Sequence, residues 1–246
     1  MSNPQQVFKY FQVVSLGVLE IRKVVVKVTG KIFDNENGVD VLASLSSLIS
    51  SKADEGYRFA VVVGGGRRAR DYIELGRKLG LSEGQLDAVG IEVSRVNAIL
   101  LAFTLGPRAY LPIPRSIDEF LRAWTSSKVV VLGGLQPGQS TNAVAAIVAE
   151  MINADLILNA TDVDGIYDSN PKKNPQAKLL KEVHIKELEE MLSDKELAGY
   201  YELFDRVGLN IVKRSKIPLV FLSVYNTENI RRAINGEEFV GTRIVY

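Results

Sequence analysis

Three short segments carry residue types whose spacing suits the handling of phosphate. "KVVVKVTGK" (23–31) puts Lys27 near the end of a valine run, with Thr29, Gly30 and Lys31 turning out of it. A lysine inside an apolar strand costs free energy unless its ammonium finds an anion or an opening to water. Snorkelling to the surface is the plain explanation; a polyphosphate is the sharper one, because an ammonium is a compact three-donor point charge. "VVVGGGRRARDY" (61–72) places three glycines between an all-valine run and a helix expected over 67–79. Gly64, Gly65 and Gly66 bare the peptide N–H groups at that helix N-terminus, and Arg70 adds a forked donor one turn in. "GGLQPGQST" (133–141) repeats the design: Gly133 and Gly134 end a strand, Pro137-Gly138 turns the chain, and Ser140 or Thr141 caps an apolar helix over 143–151.

Better-known phosphate and metal motifs fail on spacing. Gly64, Gly66 and Ala69 match G-x-G-x-x-A, the dinucleotide fingerprint. Here, however, the match follows the second apolar run, and Asp87, the acidic residue at the right distance, falls in a stretch that reads as helix. A Walker A loop needs Gly-Lys-Ser/Thr, and Arg67 follows the last glycine instead. "ATDVDGIYDSNPKKNPQAK" (160–178) has the composition of a calcium loop. Counted from Asp162, however, Gly165 is fourth and Lys173 twelfth, where an EF-hand needs Gly sixth and Glu twelfth. That segment reads better as a wall for a planar ring around Tyr167.

Composition narrows the rest. With 30 basic and 29 acidic residues the net charge is +1, which argues against a nucleic-acid-coating surface. The chain has no Cys, so thiolate chemistry and disulfides are absent and a cytoplasmic setting is expected. The single His184 reads as a surface or helix-start residue. No uninterrupted apolar run reaches the roughly 18–20 residues of a membrane span, so no membrane is expected as a partner. Residues 1–22 have an apolar patch at 11–19 but neither a basic start nor a cleavage site; they read as an N-terminal extension of unknown role.

These residues must be held by something, and the pattern says what. Apolar, β-branched runs at 24–28, 59–63, 128–132, 156–159 and 218–222 alternate with longer segments of helical spacing, such as Val41, Leu42, Leu45, Leu48 and Ile49. Strands apolar at every position suit a sheet covered on both faces. The expectation is a three-layer α/β/α sandwich with a mainly parallel sheet, one domain over 23–246, its halves meeting near 142–160. Residues 83–103 read as one long helix, and the apolar stretch at 86–105 is a candidate interface. The glycines collect where strands end, which is where open parallel sheets bind ligands.

In order and spacing these segments, with "LDAVGIEVSRVNAILL" (86–101), "TDVDGIYDSNPKKNPQAK" (161–178) and "YYELFDRVGLNIVKRSKIP" (200–218), resemble the amino-acid-kinase fold family, and within it the uridylate kinases of archaeal type. The resemblance runs from about residue 23 to the C-terminus. It implies phosphoryl transfer from ATP, with Mg²⁺, to UMP. It assigns Lys27, Thr29, Gly30, Lys31, Gly66, Arg70, Thr161, Asp162, Tyr167 and Asn170 to ATP. It assigns Gly65, Asp87 and the run Leu135, Gln136, Pro137, Gly138, Gln139, Ser140 and Thr141 to UMP. Asp205 falls at an acidic position that orients the phosphate-binding lysine or the metal, so Lys27 and Asp205 are the catalytic pair. Residues up to about 150 form the acceptor half and 151–246 the ATP half. Hexamers are the expected assembly. Asp162 and Asn170 depart from the family's more frequent Asn and Asp. Kinases of the same fold acting on carbamate, acetylglutamate or isopentenyl phosphate, and a non-catalytic nucleotide-binding or anion-storage subunit, are the alternatives.

Overall fold

A computed structural model describes residues 23–34, 36–193 and 204–246; the expectations for residues 1–22 lie outside them, as do 200–203 of the last motif. The five anticipated apolar runs are strands. They are β1 (Lys23–Val28), β2 (Arg58–Val63), β3 (Val129–Leu132), β4 (Leu156–Thr161) and β6 (Leu219–Ser223). From the second position of β1 and β2, and throughout the other three, every residue is buried, as a sheet covered on both faces requires.

Two further strands, β5 (Glu182–His184) and β7 (Thr242–Val245), complete one sheet in the order β3-β2-β1-β4-β6-β7-β5. Neither carries a fully apolar run: β5 is the edge strand and β7 lies between it and β6, and both are short and bury only alternate residues. All pairings are parallel except β6 with β7. His184 ends β5, is exposed, and its Nδ1 accepts from Lys186 N–H at 3.2 Å at the start of α6, so it is a helix-start residue as expected.

Side chains alternate across each strand. Val24, Val26 and Val28 meet Leu42, Leu45 and Ile49 of α1 (Gly38–Asp54), Leu101 of α3 (Glu83–Leu105) and Ile230 of α8 (Thr227–Ile234). Val25, Val62 and Ile157 face Phe120 of α4 (Ile117–Ser126), Val144 of α5 (Thr141–Met151), Leu188 of α6 (Ile185–Ser193) and Leu209 of α7 (Arg206–Ser215). The result is the anticipated sandwich. β1 pairs with β2 on one side and β4 on the other, so the chain reverses direction across the sheet at β1/β4. A crevice opens at such a switch point, outside the C-terminal strand ends.

Ser82 and Gln85 cap α3 reciprocally, and it runs 23 residues to Gly106. By length and composition it would also pass for a membrane span. Its inner face instead carries Ser94, Arg95 and Asn97, all buried against the loops below. α2 (Gly66–Lys78) packs beside it.

Candidate active site

Elements far apart in sequence meet at the switch point around a cavity of about 500 Å³. Lys27, Thr29, Gly30 and Lys31 enter from β1 and its following turn. Gly64, Gly65, Gly66 and Arg70 enter from β2 and α2. Ser140 and Thr141 enter from the start of α5, Thr161 and Asp162 from β4, Tyr167 and Asn170 from the loop beyond it, and Asp205 from the start of α7. Every residue assigned to ATP, together with Gly65, Ser140, Thr141 and Asp205, therefore lines one space.

The first two glycine turns exist partly for each other. A Cβ on Gly30 would lie 2.1 Å from Gly66 N and 2.4 Å from Gly64 O. Gly66 adopts φ 70°, and its Cβ would stand 2.4 Å from Gly30 O. Adjacent strands end together here, so their turns press backbone on backbone, and only glycine permits that approach. The same contact leaves amides without side-chain cover on the cavity wall. Asp34 locks the junction, accepting from Arg67 N–H at 2.8 Å.

Lys27 is 8 % exposed. Alternation points it to the α5 side of the sheet, and its register partner on β4 is the fully buried Asn159, whose Nδ2 donates to Asn142 Oδ1 of α5 at 3.3 Å. The lysine thus opens onto the cavity through a polar gap in an otherwise apolar layer, rather than reaching bulk solvent.

Of the two hydroxyls offered as caps, Ser140 caps α5: its Oγ accepts from Asn142 N–H at 3.0 Å and Ala143 N–H at 3.2 Å. The same hydroxyl donates to Asp205 Oδ2. Asp205 in turn caps α7, its Oδ1 accepting from Val207 N–H at 2.9 Å and Gly208 N–H at 3.0 Å. One carboxylate therefore ties two helix N-termini together at the cavity rim, where partial positive charge collects.

The third loop splits. Leu135, Gln136, Pro137, Gly138 and Gln139 lie beyond the cavity wall, as does Asp87 on α3. They are not scattered: Gly138 N–H donates to Asp87 Oδ2 at 2.8 Å, so the carboxylate assigned to ribose hydroxyls meanwhile holds the tip of this loop. The loop root is held from α3. Gly134 N–H donates to Ser94 Oγ at 2.7 Å, and the Arg95 guanidinium donates to Gly134 O at 3.1 Å and Leu135 O at 3.2 Å. Asn97 Nδ2 donates to Gly64 O at 2.9 Å and Gly65 O at 3.3 Å. Ser94, Arg95 and Asn97 were not singled out in the sequence. Their signal was three polar residues in four positions, "SRVN", within an apolar helix.

At the far end Asp162 receives Lys31 Nζ at 3.1 Å and also pairs with Lys172, another residue the sequence reading passed over. Burial works against the Asp162 charge, but the Lys172 and Lys31 ammoniums outweigh it and hold the carboxyl below the usual carboxylate range. Thr161 Oγ1 is turned to its own loop, donating to Val163 O at 2.7 Å. Tyr167 donates to Asp164 Oδ2 at 3.2 Å; burial, then the Asp164 charge, push its phenol up. Asn170 Oδ1 accepts from Lys172 N–H at 3.0 Å, shaping the turn that carries that lysine.

A doubly covered parallel sheet, with cations, bare amides and two helix N-termini converging at its switch point, defines an α/β protein built to hold polyanions. Comparison with known families makes this specific. Residues 22–223 match the amino acid kinase family, and the chain belongs to that family. Similar proteins include the uridylate kinase of Metallosphaera sedula, 49% identical over 218 residues, spanning 88% of this chain and 96% of the relative. The uridylate kinase of Sulfolobus acidocaldarius is 45% identical, spanning 91% of this chain and 99% of the relative. The crystal structure of uridylate kinase from Archaeoglobus fulgidus superposes with a TM-score of 0.80 at 37% identity, covering 91% of this chain and all of that one.

Proposed function

We propose that this protein is a uridylate kinase that transfers the γ-phosphoryl group of ATP to UMP, giving UDP and ADP, a step of pyrimidine nucleotide synthesis. The observation that carries the reading is the single cavity in which Lys27, both glycine turns and the α5 and α7 N-termini converge. The likeness to uridylate kinases over most of the chain supplies the acceptor.

The chemistry is direct in-line transfer. A UMP phosphate oxygen is already ionised, so no general base is required, and the difficulty is the meeting of two polyanions. Lys27, the amides of Gly30 and Gly66, Thr29, Lys31 and Arg70 would hold the ATP phosphates. Gly65 and the α5 N-terminus would hold the UMP phosphate, with Asp87 and residues 135–141 around its nucleoside. Thr161, Asp162, Tyr167 and Asn170 would flank the adenine nucleotide. Asp205, bridging two helix starts, would keep the donor and acceptor halves in register. Mg²⁺ would arrive with ATP, held chiefly by the phosphates, as is usual for this ion.

Self-association belongs to the same reading: Val96, Leu100 and Phe103 form an exposed apolar stripe on α3, and a homohexamer built through that face is proposed. Both substrates are polyanions that do not cross membranes unaided, so the enzyme is placed in the cytoplasm. A coupled assay with Mg²⁺-ATP against UMP, CMP, dTMP, carbamate, acetylglutamate and isopentenyl phosphate tests the assignment. UMP is expected to be the best acceptor; turnover of one of the others with UMP inert would overturn it.

A further inference from the structure

Among the described residues, four basic side chains line the cavity: Lys27, Lys31, Arg70 and Lys172. The first three stand on or beside the strand-end turns. Lys172 comes from the long connection after β4, and its ammonium rests on Asp162 Oδ2. Lys31 Nζ reaches both oxygens of the same carboxylate at 3.1 Å. One carboxylate therefore takes two ammoniums, one from the turn after β1 and one from the loop after β4.

The three partners differ in cover. The Asp162 side chain is 18% exposed and that of Lys31 26%, whereas that of Lys172 is 61% exposed. The backbone that carries Lys172 is held without its ammonium. Asp168 N–H donates to Lys178 O at 3.1 Å, Lys178 N–H to Asp168 Oδ1 at 2.9 Å, and Asn174 N–H to Asn170 O at 2.8 Å. Lifting the Lys172 head off Asp162 thus leaves the turn intact. A pair with one well-exposed partner contributes little net stability. A phosphate oxygen offers the same ammonium a charge-assisted bond, and Lys31, whose ammonium has three donors, can keep one on Asp162 while it too meets phosphate.

We propose that Lys172 is a further ligand for the donor polyphosphate, parked on Asp162 until the nucleotide arrives, with Asp162 as the counter-ion that competes with phosphate for Lys31 and Lys172. This rests on the reading of the cavity as an ATP site. It goes beyond it by adding a cation from a different loop and by giving Asp162 a role opposed to binding.

The test is calorimetric titration of the full chain with inorganic tripolyphosphate, ATP and adenosine, in the native protein, Lys172→Ala, Lys172→Arg and Asp162→Asn. Loss of one charged phosphate contact predicts that Lys172→Ala weakens tripolyphosphate and ATP about tenfold and leaves adenosine unchanged, with Arg restoring most of the loss. Asp162→Asn, by freeing both ammoniums, is expected to tighten tripolyphosphate several-fold. Unchanged tripolyphosphate affinity in Lys172→Ala, an equal loss for adenosine (a loop defect), or weaker tripolyphosphate binding in Asp162→Asn would each overturn the assignment. The readout does not involve UMP. A protein that binds tripolyphosphate in this pattern yet fails to phosphorylate UMP would therefore refute the uridylate kinase reading and leave this one standing.

Discussion

Lys27 is the residue on which the proposed chemistry turns. It stands at the end of β1 with its stem among valines and its head at the cavity, 8 % exposed, so its charge acts where water is scarce. Lys27→Met keeps the packing and removes the charge. Turnover is expected to fall by about 10²–10³, the usual cost of removing one such donor, with an unchanged circular dichroism spectrum. Near-native turnover would remove Lys27 from the mechanism. Asp205 does two jobs that substitution separates. It caps α7 through Oδ1 and accepts from the Ser140 hydroxyl through Oδ2; Asn keeps the cap but loses the charge and the acceptor for Ser140. Asp205→Asn is therefore expected to melt within a few degrees of the native protein while losing activity. Asp205→Ala is expected to lose in addition about 1 kcal/mol of stability from the missing cap, read by urea denaturation. If Asp205→Asn retained full turnover, the carboxylate would be a structural cap alone.

Elements make the site by bringing strand ends together. The turn after β1 and the turn before α2 touch through glycine backbone, and Gly66 holds φ 70° while doing so. Gly66→Ala adds left-handed strain and a contact 2.4 Å from Gly30 O. The combined cost is about 2–5 kcal/mol, and both stability and activity should fall; a fully stable, active variant would mean that the turns do not pack as described. α3 clamps the second and third glycine loops from one face: Asn97 bonds Gly64 O, and Ser94 and Arg95 bond Gly134. On the same face of the sheet, α8 is braced by an exposed network in which Arg231 and Arg232 hold Glu228 down to a pKa of about 2. A depressed carboxylate contributes stability above its ordinary pKa and loses it as pH falls through the lower, folded value. Glu228→Gln should thus lower the melting temperature slightly at neutral pH. The difference should shrink in high salt and vanish as pH approaches 2; a difference that persists there would point to packing instead.

At the scale of the whole molecule, α3 joins the site to the surface. Its inner face grips the glycine loops, and its outer face exposes Val96, Leu100 and Phe103. Phe103→Glu is expected to shift the protein to smaller species in analytical ultracentrifugation, since a charge cannot be buried in an apolar contact without large cost. An unaltered sedimentation profile would place the interface elsewhere.

Residue types and local periodicity sufficed for the covered parallel sheet, the long helix from residue 83, and the proposal that "KVTGK", "GGG" and "GQST" handle polyanions. All three follow from patterns contained within a dozen residues. Only the tertiary structure decided which of these segments touch. Nothing local in the sequence says that Gly30 would meet Gly66, that Asn97 would hold the carbonyls of the second turn, or that Lys31 and Lys172 would share Asp162. Strands β5 and β7 escaped for a related reason: they are short and half-buried, and exist because β6 offers β7 an edge and β7 in turn offers one to β5. Such contacts join parts of the chain up to about 130 residues apart, as Lys31 and Asp162 are. They are set by β1 lying between β2 and β4, which is a property of the folded sheet and not of any stretch of sequence.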